Sequence, residues 1–486
     1  MSFILPIFSA AMPELFVLCM ASLILLVDVF LPERARIITY VLVQLTLIGS
    51  FLLSAAEYRD QVEPIITFSG HYILDKLAVL TKLFLLVASF FAFIYARHYT
   101  KEHHIARGEY YILGLFAVLG MQIMASAYSF LTIYLGLELV SLSLYAMVAL
   151  QKKSNVATEA AMKYFITGAL ASGFLLYGIS IVYGVTGKIS VAEAAGFLQT
   201  VSMSQQGIVL FGLIFMMAGL LFKLGAIPFH LWVPDVYDGA PTSVTLFIAS
   251  APKIAAFAIA MRILVEAMPG LVIPWTHILT VCAVLSMFFG NVLAIAQTNI
   301  KRMLAYSSIA HMGYTLLGFI AGPHSQQGYS AGMFYITTYV LVAAGAFAII
   351  ALLSKPDAEF DHIDDLRGLN ERNPWLAFMM LLLMFSMAGV PPTVGFFAKL
   401  GLLESLVEAH LVWLAALALL FAIVGAYYYL RVIMYMYFEE PKRAFVGTPL
   451  SISPGVMAAI SVNGAAALLL GLFPSALIDM CRISAS

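Results

Sequence analysis

The residues of this chain that could do chemistry are few, and they sit where charge is expensive. Glu138 lies in the run IYLGLELVSLSLY, Lys223 and Lys253 lie in two neighbouring apolar runs, Lys399 lies in GVPPTVGFFAKL, and His311 is central in SSIAHMGY. An ionised side chain at the centre of a spanning helix costs roughly 2.5–3.5 kcal/mol to insert. Four isolated ones, Glu138, Lys223, Lys253 and Lys399, would cost on the order of 10–14 kcal/mol, more than the net stability of many domains. They must be paired, hydrated or partly neutral. Desolvation weakens the hold of a lysine on its proton and a nearby carboxylate strengthens it, so a row of such groups can pass protons as its members change charge. The chemistry expected is a proton relay of Glu138, Lys223, Lys253, His311 and Lys399, with Lys163 nearer the cytoplasmic end of its run.

Other residues invite plainer readings. Lys82, Arg262 and Arg431 are expected to snorkel to a membrane interface. A lone histidine is commonly a neutral core residue, and only its company raises His311. The aromatic run Tyr427-Tyr428-Tyr429 and the methionine-rich stretch 379–387 are expected to pack or to anchor at an interface. Cys19, Cys282 and Cys481 lie far apart with no CxxC pair, and the ten histidines form no HxxxH spacing. No iron–sulfur cluster, disulfide framework or metal site is expected in this chain. With no strands expected, no phosphate loop follows one, and neither nucleotide nor nucleic acid is an expected partner.

The elements that must position these groups follow from composition. The chain has 25 Lys and Arg and 26 Asp and Glu among 486 residues, while 62% of positions are hydrophobic. A soluble protein carries roughly 25% charged residues, so an integral membrane protein is implied and soluble enzymes are excluded. Apolar runs bounded by charge, Gly or Pro give 14 spans, at about 12–31, 37–56, 76–96, 110–127, 129–150, 158–184, 207–238, 242–266, 274–297, 302–321, 328–353, 374–408, 411–437 and 454–473. The start of the chain holds no Lys or Arg before its first apolar run, so a cleaved secretory signal is not expected. A single polytopic domain, 1–486, is expected, all of it helical.

Fourteen basic residues fall in the odd-numbered loops: Arg34, Arg36, Arg97, Lys101, Arg107, Lys152, Lys153, Lys301, Arg302, Lys355, Arg367, Arg372, Lys442 and Arg443. Four fall on the other side: Arg59, Lys76, Lys188 and Arg482. The positive-inside rule places the first set in the cytoplasm and both termini outside.

Two spans are too long. Residues 207–238 and 374–408 would run about 48 and 52 Å as straight helices, against a hydrocarbon core near 30 Å. The first contains Gly225 and Pro228 in GAIP, the second Gly389, Pro391 and Pro392 in GVPP. Proline removes a backbone donor and clashes with the preceding turn. Paired broken helices in corresponding positions point to an inverted repeat with its ion site at the interface. Five-helix repeats at about 110–266 and 274–437 are expected, flanked by helices at 12–96 and 454–473.

These residues carry a family likeness. The stretch FKLGAIPFHLWVPDVYDGAPTSVTLFIASAPK, Phe222 to Lys253, and the stretch QTNIKRMLAYSSIAHMGY, Gln297 to Tyr314, resemble the antiporter-like subunits of respiratory complex I, nearest to the N-type branch. The resemblance covers nearly the whole chain. It implies a 14-helix proton channel in which Glu138 and Lys223 form a Glu–Lys pair, followed by Lys163, Lys253 and His311, with Lys399 as the terminal group. A lysine at that last position agrees with the N-type; the M-type carries glutamate there. It also implies a translocase subunit of NADH:quinone oxidoreductase in a bacterial inner membrane, with neighbouring membrane subunits and lipid as partners. NADH, FMN, iron–sulfur clusters and quinone would bind in other subunits. The competing expectation is a Na⁺/H⁺ antiporter subunit with no link to redox, which the same charges would serve.

Overall fold

The computed structural model describes residues 5–60, 63–103, 105, 108–199, 203–355, 359–441 and 453–485. Arg107, Lys442 and Arg443, three of the cations assigned to cytoplasmic loops, lie outside them. The chain is a predominantly helical membrane protein in which, among the described residues, thirteen helices are long and apolar enough to cross a membrane. Three of them, α1 (Met12–Phe30), α2 (Ile37–Asp60) and α3 (Lys76–Glu102), precede α4 (Gly108–Ser126), α5 (Phe130–Val148) and α6 (Asn155–Thr186). A short α7 (Val191–Leu198) leads to α8 (Met203–Leu224), α9 (Trp232–Gly239), α10 (Thr242–Ile248) and α11 (Ala251–Ala260). After α12 (Val272–Ala296), α13 (Ile300–Ala321) and α14 (Gly328–Leu353) come a one-turn α15 (Leu369–Arg372), the half-helices α16 (Pro374–Ala388) and α17 (Val394–Glu408), then α18 (Val412–Phe438), α19 (Pro454–Leu472) and α20 (Ser475–Ala485).

The expected crossing absent from those thirteen, 374–408, is the pair α16 and α17, each about 22 Å long. Neither half alone has the length of a full span. The expected span 242–266 is also interrupted: α10 stops at Ile248, Pro252 opens α11 as its second residue, and the last turn, Met261–Ala267, widens to a π-helix. The expectation of no strands is corrected by a small antiparallel ribbon, Ile65–Thr67 against Tyr72–Leu74. Its branched and aromatic residues suit a pleated pair, and it lies between two spans, where backbone groups need not be satisfied within a helix.

Lipid removes the hydrophobic drive for helices to associate, so close packing and small residues take over. A Cβ at Gly178 of α6 would fall 2.5 Å from the carbonyl oxygen of Gly212 on α8, and one at Gly318 of α13 would fall 2.6 Å from the Cα of Gly332 on α14. Nearly every residue of the Thr242–Ala267 span, α13 and α14 is buried, against about a third of those in α6 and α18. Lys253 and His311 belong to that central group.

The two helix breaks share one backbone pattern. At the first, the Gly225 N–H donates to the carbonyls of Leu221 and Phe222, and the Ala226 N–H to Leu221. At the second, the Gly389 N–H donates to Phe385 and Ser386, and the Val390 N–H to Phe385. Phe229 then donates to Ala226, as Thr393 does to Val390. Both glycines are left-handed, at φ +78° and +86°, a conformation that favours glycine. Pro228 and Pro392 each follow a cis peptide bond.

Candidate functional site

A helix ends with carbonyls that have no intrahelical partner and carry partial negative charge. At both breaks a lysine takes them. The Lys253 Nζ, from α11, donates to the Leu224 carbonyl at the end of α8 (3.2 Å) and to Ser308 Oγ of α13 (2.6 Å). The Lys399 Nζ, from α17, donates to the Met387 and Ala388 carbonyls at the end of α16, both at 2.9 Å. An ammonium has three donors and no acceptor, so a bare carbonyl cluster is a natural seat for it. The lysine stem runs close enough to the break that a Cβ on Gly389 would meet Lys399 Cδ at 2.9 Å. The second break therefore needs glycine twice over, for its φ and for the lysine beside it.

His311 stands between the two seats. Its Nδ1 is 2.7 Å from the Tyr335 hydroxyl and its Nε2 is 2.9 Å from the Tyr429 hydroxyl. Tyr429 bonds Ser307, and the Tyr428 hydroxyl donates to Tyr429 at 3.2 Å and lies 3.0 Å from Asn291 Oδ1. The expectation that Tyr428 and Tyr429 merely pack is corrected, since their hydroxyls build the histidine's surroundings. Helical spacing puts Ser307, Ser308 and His311 on adjacent positions one turn apart. Tyr335 lies 24 residues downstream of His311 and Tyr429 118, so neither had a local signal.

Two small cavities continue the row. One of about 30 Å³ is lined by Lys223, Lys253, Ser141, Tyr164 and Trp232. The other, of about 20 Å³, lies between His311, Tyr335, Tyr339 and Lys399. Each has room for about one water molecule. Lys223, Lys253, His311 and Lys399 are thus brought together in sequence order.

Two members of the expected row depart from expectation, one in its partner and one in its place. Glu138 and Lys223 do not form the expected ion pair: the Lys223 Nζ donates to Ser141 Oγ at 2.7 Å, and Glu138 Oε1 is buried with no hydrogen-bond partner. Ser141 lies one turn along the same face of α5, so a lysine reaching from α8 can meet either residue. Lys163 is not in the buried row. Its side chain is 46% exposed and pairs with Glu159 (2.9 Å) and Asp235 (2.8 Å). Asp235 and Asp238 on α9 in turn hold Arg302 of α13, at 3.1 and 3.4 Å.

Snorkelling is corrected for Lys82 and Arg262, which are buried against acids, whereas Arg431 is only partly buried. Lys82 is fully buried, with Glu14 at 2.7 Å and the Tyr72 hydroxyl at 2.9 Å. Arg262 is buried between Asp75, which it holds bidentately at 2.7 and 2.8 Å, and Glu266 at 2.5 Å. Burial would raise the Asp75 carboxyl, but the Arg262 guanidinium overrides it and holds the group below its ordinary range. Arg431 caps α12, donating to the Ile295 and Gln297 carbonyls at 2.9 and 2.7 Å. The partners Glu14, Asp75 and Ile295 are far off in sequence, which left the cations looking unpaired. Among the described residues no three His, Cys, Asp or Glu side chains converge as a metal site.

The polytopic helical bundle is that of the antiporter-like class of membrane subunits, as a family match shows. The family described as NADH:quinone oxidoreductase/Mrp antiporter, transmembrane, matches residues 127–425. NADH-quinone oxidoreductase subunit N of Thioalkalivibrio sulfidiphilus is 52% identical over 99% of this chain and 98% of its own length. A chain of respiratory complex I from Thermus thermophilus superimposes with a TM-score of 0.81 at 32% identity, covering 96% of this chain and 98% of that one. One from the Mrp complex of Dietzia superimposes at 0.86 with 20% identity, over 99% and 97%, and shares the fold. The chain belongs to the subunit N family of NADH-quinone oxidoreductase.

Proposed function

We propose that this chain translocates protons as a membrane subunit of NADH-quinone oxidoreductase, driven by quinone reduction in neighbouring subunits. The observation that carries the reading is the placement of Lys223, Lys253, His311 and Lys399 in sequence order, with Ser308 on Lys253, tyrosine hydroxyls on His311 and two water-sized cavities beside the lysines. Lys223 has two stations on α5, Glu138 and Ser141. Paired with Glu138 it keeps its proton; turned to Ser141, as here, it has lost that carboxylate and yields the proton toward Lys253. Arrival of charge at Lys253 and then at His311 pushes the next proton to Lys399, which releases it outside.

Lys163 sits on the cytoplasmic side of this row and supplies it by way of Asp235, which Arg302 holds in place. Both termini face outward from a bacterial inner membrane, in keeping with the cations of the odd loops. The repeats extend over about 110–266 and 274–437, each around one break. NADH, FMN, iron–sulfur clusters and quinone bind in other subunits. The family's relatives, named as oxidoreductase subunits, favour this over a redox-free Na⁺/H⁺ antiporter. The Lys223→Ala substitution in the assembled complex should abolish NADH-driven proton translocation. Full translocation by that variant sinks the proposal.

A further inference from the structure

Each helix that ends at a break offers backbone carbonyls to a cation, and in each case the cation is a tethered one. The Leu224 carbonyl takes Lys253, and the Met387 and Ala388 carbonyls take Lys399. The pattern is not a feature of one lysine's neighbourhood. The two breaks have the same hydrogen bonds, while their lysines come from different places, one from a later helix and one from the far side of the break itself. What is common is the carbonyl end, and the shared demand is for a positive charge with N–H donors.

We propose that the C-terminal ends of α8 and α16 are binding seats for a small monovalent cation, occupied in this chain by Lys253 and Lys399. The two lysines then act as selectivity determinants, because a seat filled by a tethered ammonium excludes free Na⁺. Half-helix ends and unwound carbonyls are the usual means by which broken membrane helices coordinate such ions. At the second seat there is also space: a cavity of about 450 Å³ is lined by Gly389, Lys399 and Tyr314, with the Lys399 Nζ lying 5.5 Å from the centre of the Tyr314 ring. Removing the lysine stem would leave the carbonyls facing that cavity and an aromatic face, both favourable to an alkylammonium. The inference rests on the proton-pathway reading only for its bearing on selectivity; the seat is a matter of binding.

The test uses the purified whole complex carrying Lys399→Ala, with methylammonium as the probe, tetramethylammonium as a probe without N–H donors, and Na⁺ as competitor. The binding readout is the thermal midpoint at which this subunit leaves the complex. Methylammonium should raise the midpoint of the variant, with half-effect on the order of 10 mM, the tightest range open to a ligand of two heavy atoms. Tetramethylammonium should not, Na⁺ should shift the half-effect upward, and wild type and Lys399→Met should show no response. The coupling readout is NADH-driven membrane potential followed with an oxonol dye in proteoliposomes, which methylammonium should restore in the alanine variant. Absence of a midpoint rise in both Lys399→Ala and Lys253→Ala overturns the seat. A normal membrane potential in Lys399→Ala overturns the pathway role of Lys399 while a midpoint rise still upholds the seat. Should the alanine variant fail to assemble, recovery of assembly in cells grown with methylammonium supports the seat, and continued failure beside an assembled Lys399→Met overturns it.

Discussion

The two breaks differ less in backbone than in how each is supplied with charge. Shifting the first by 164 residues, Gly225 onto Gly389, superimposes its hydrogen bonds on those of the second. The same shift carries Lys223 to Met387, Asp235 to Lys399 and Lys253 to Leu417. The second break is self-contained: α17 supplies the lysine that caps α16. The first borrows Lys253 from α11, and its own downstream half-helix, α9, carries an acid turned toward Lys163 and Arg302. Borrowing frees Lys223, on the upstream half-helix, to reach α5. A backbone device repeated with rearranged charges leaves Lys223 on Ser141 of α5 at one break and Lys399 on the carbonyls of α16 at the other.

The strongest way to break this comparison is to empty the borrowed seat. Lys253→Met removes the cation while keeping volume, and proton translocation should fall roughly hundredfold or more, the scale of a positioned proton-transfer group. Electron transfer from NADH to ferricyanide should persist, since it does not use this chain. Lys253→Arg should recover only part of the loss, because a guanidinium does not release its proton. Translocation that survives Lys253→Met would make the first break a structural kink.

A sharper contrast comes from the glycines. Alanine at either position incurs about 1–2 kcal/mol for the left-handed backbone. At Gly225 the new Cβ would press on Val233 Cγ2 at 2.7 Å, whereas at Gly389 it would press on the Lys399 stem. The two variants should lose similar thermal stability, but only Gly389→Ala should also lower translocation severalfold. Equal translocation in both would detach Lys399 from the break.

Tyr429→Phe tests the span between the seats. It removes one partner each from His311 and Ser307, so about 1–2 kcal/mol of buried hydrogen bonding is at stake. Translocation should drop a fewfold with assembly intact, and no drop would return the tyrosine to packing.

Much of the site was legible because charge in an apolar run is its own signal. Lys223, Lys253 and Lys399 stand out by position, His311 only by their company, and the breaks by Gly225-Pro228 and Gly389-Pro392 with the excess length around them. What sequence could not give was partners. Glu14 beneath Lys82 and Asp75 beside Arg262 lie 68 and 187 residues away along the chain, and without them both cations looked like interfacial ones. The interruption before Lys253 did have a sign in Pro252, but an apolar run of ordinary length gave no reason to break it. Glu138 and Lys223 were placed in the right neighbourhood, yet the choice between Glu138 and Ser141 is one helical turn, a distinction made by side-chain reach and not by spacing.

The weakest expected effect probes the residue that stands at the register of Lys399. Asp235 is about one third exposed and shared by Lys163 and Arg302, and exposed ion pairs contribute about 0–1 kcal/mol each. Asp235→Asn should therefore lower the thermal midpoint only slightly, and a double-mutant cycle with Lys163→Gln should give a coupling of about 0.2–1 kcal/mol. If α9 no longer serves the break, translocation should change only through slower supply on the cytoplasmic side. A defect as deep as that of Lys253→Met would show that this acid still acts on the first break, and that the two halves differ less than their charges suggest.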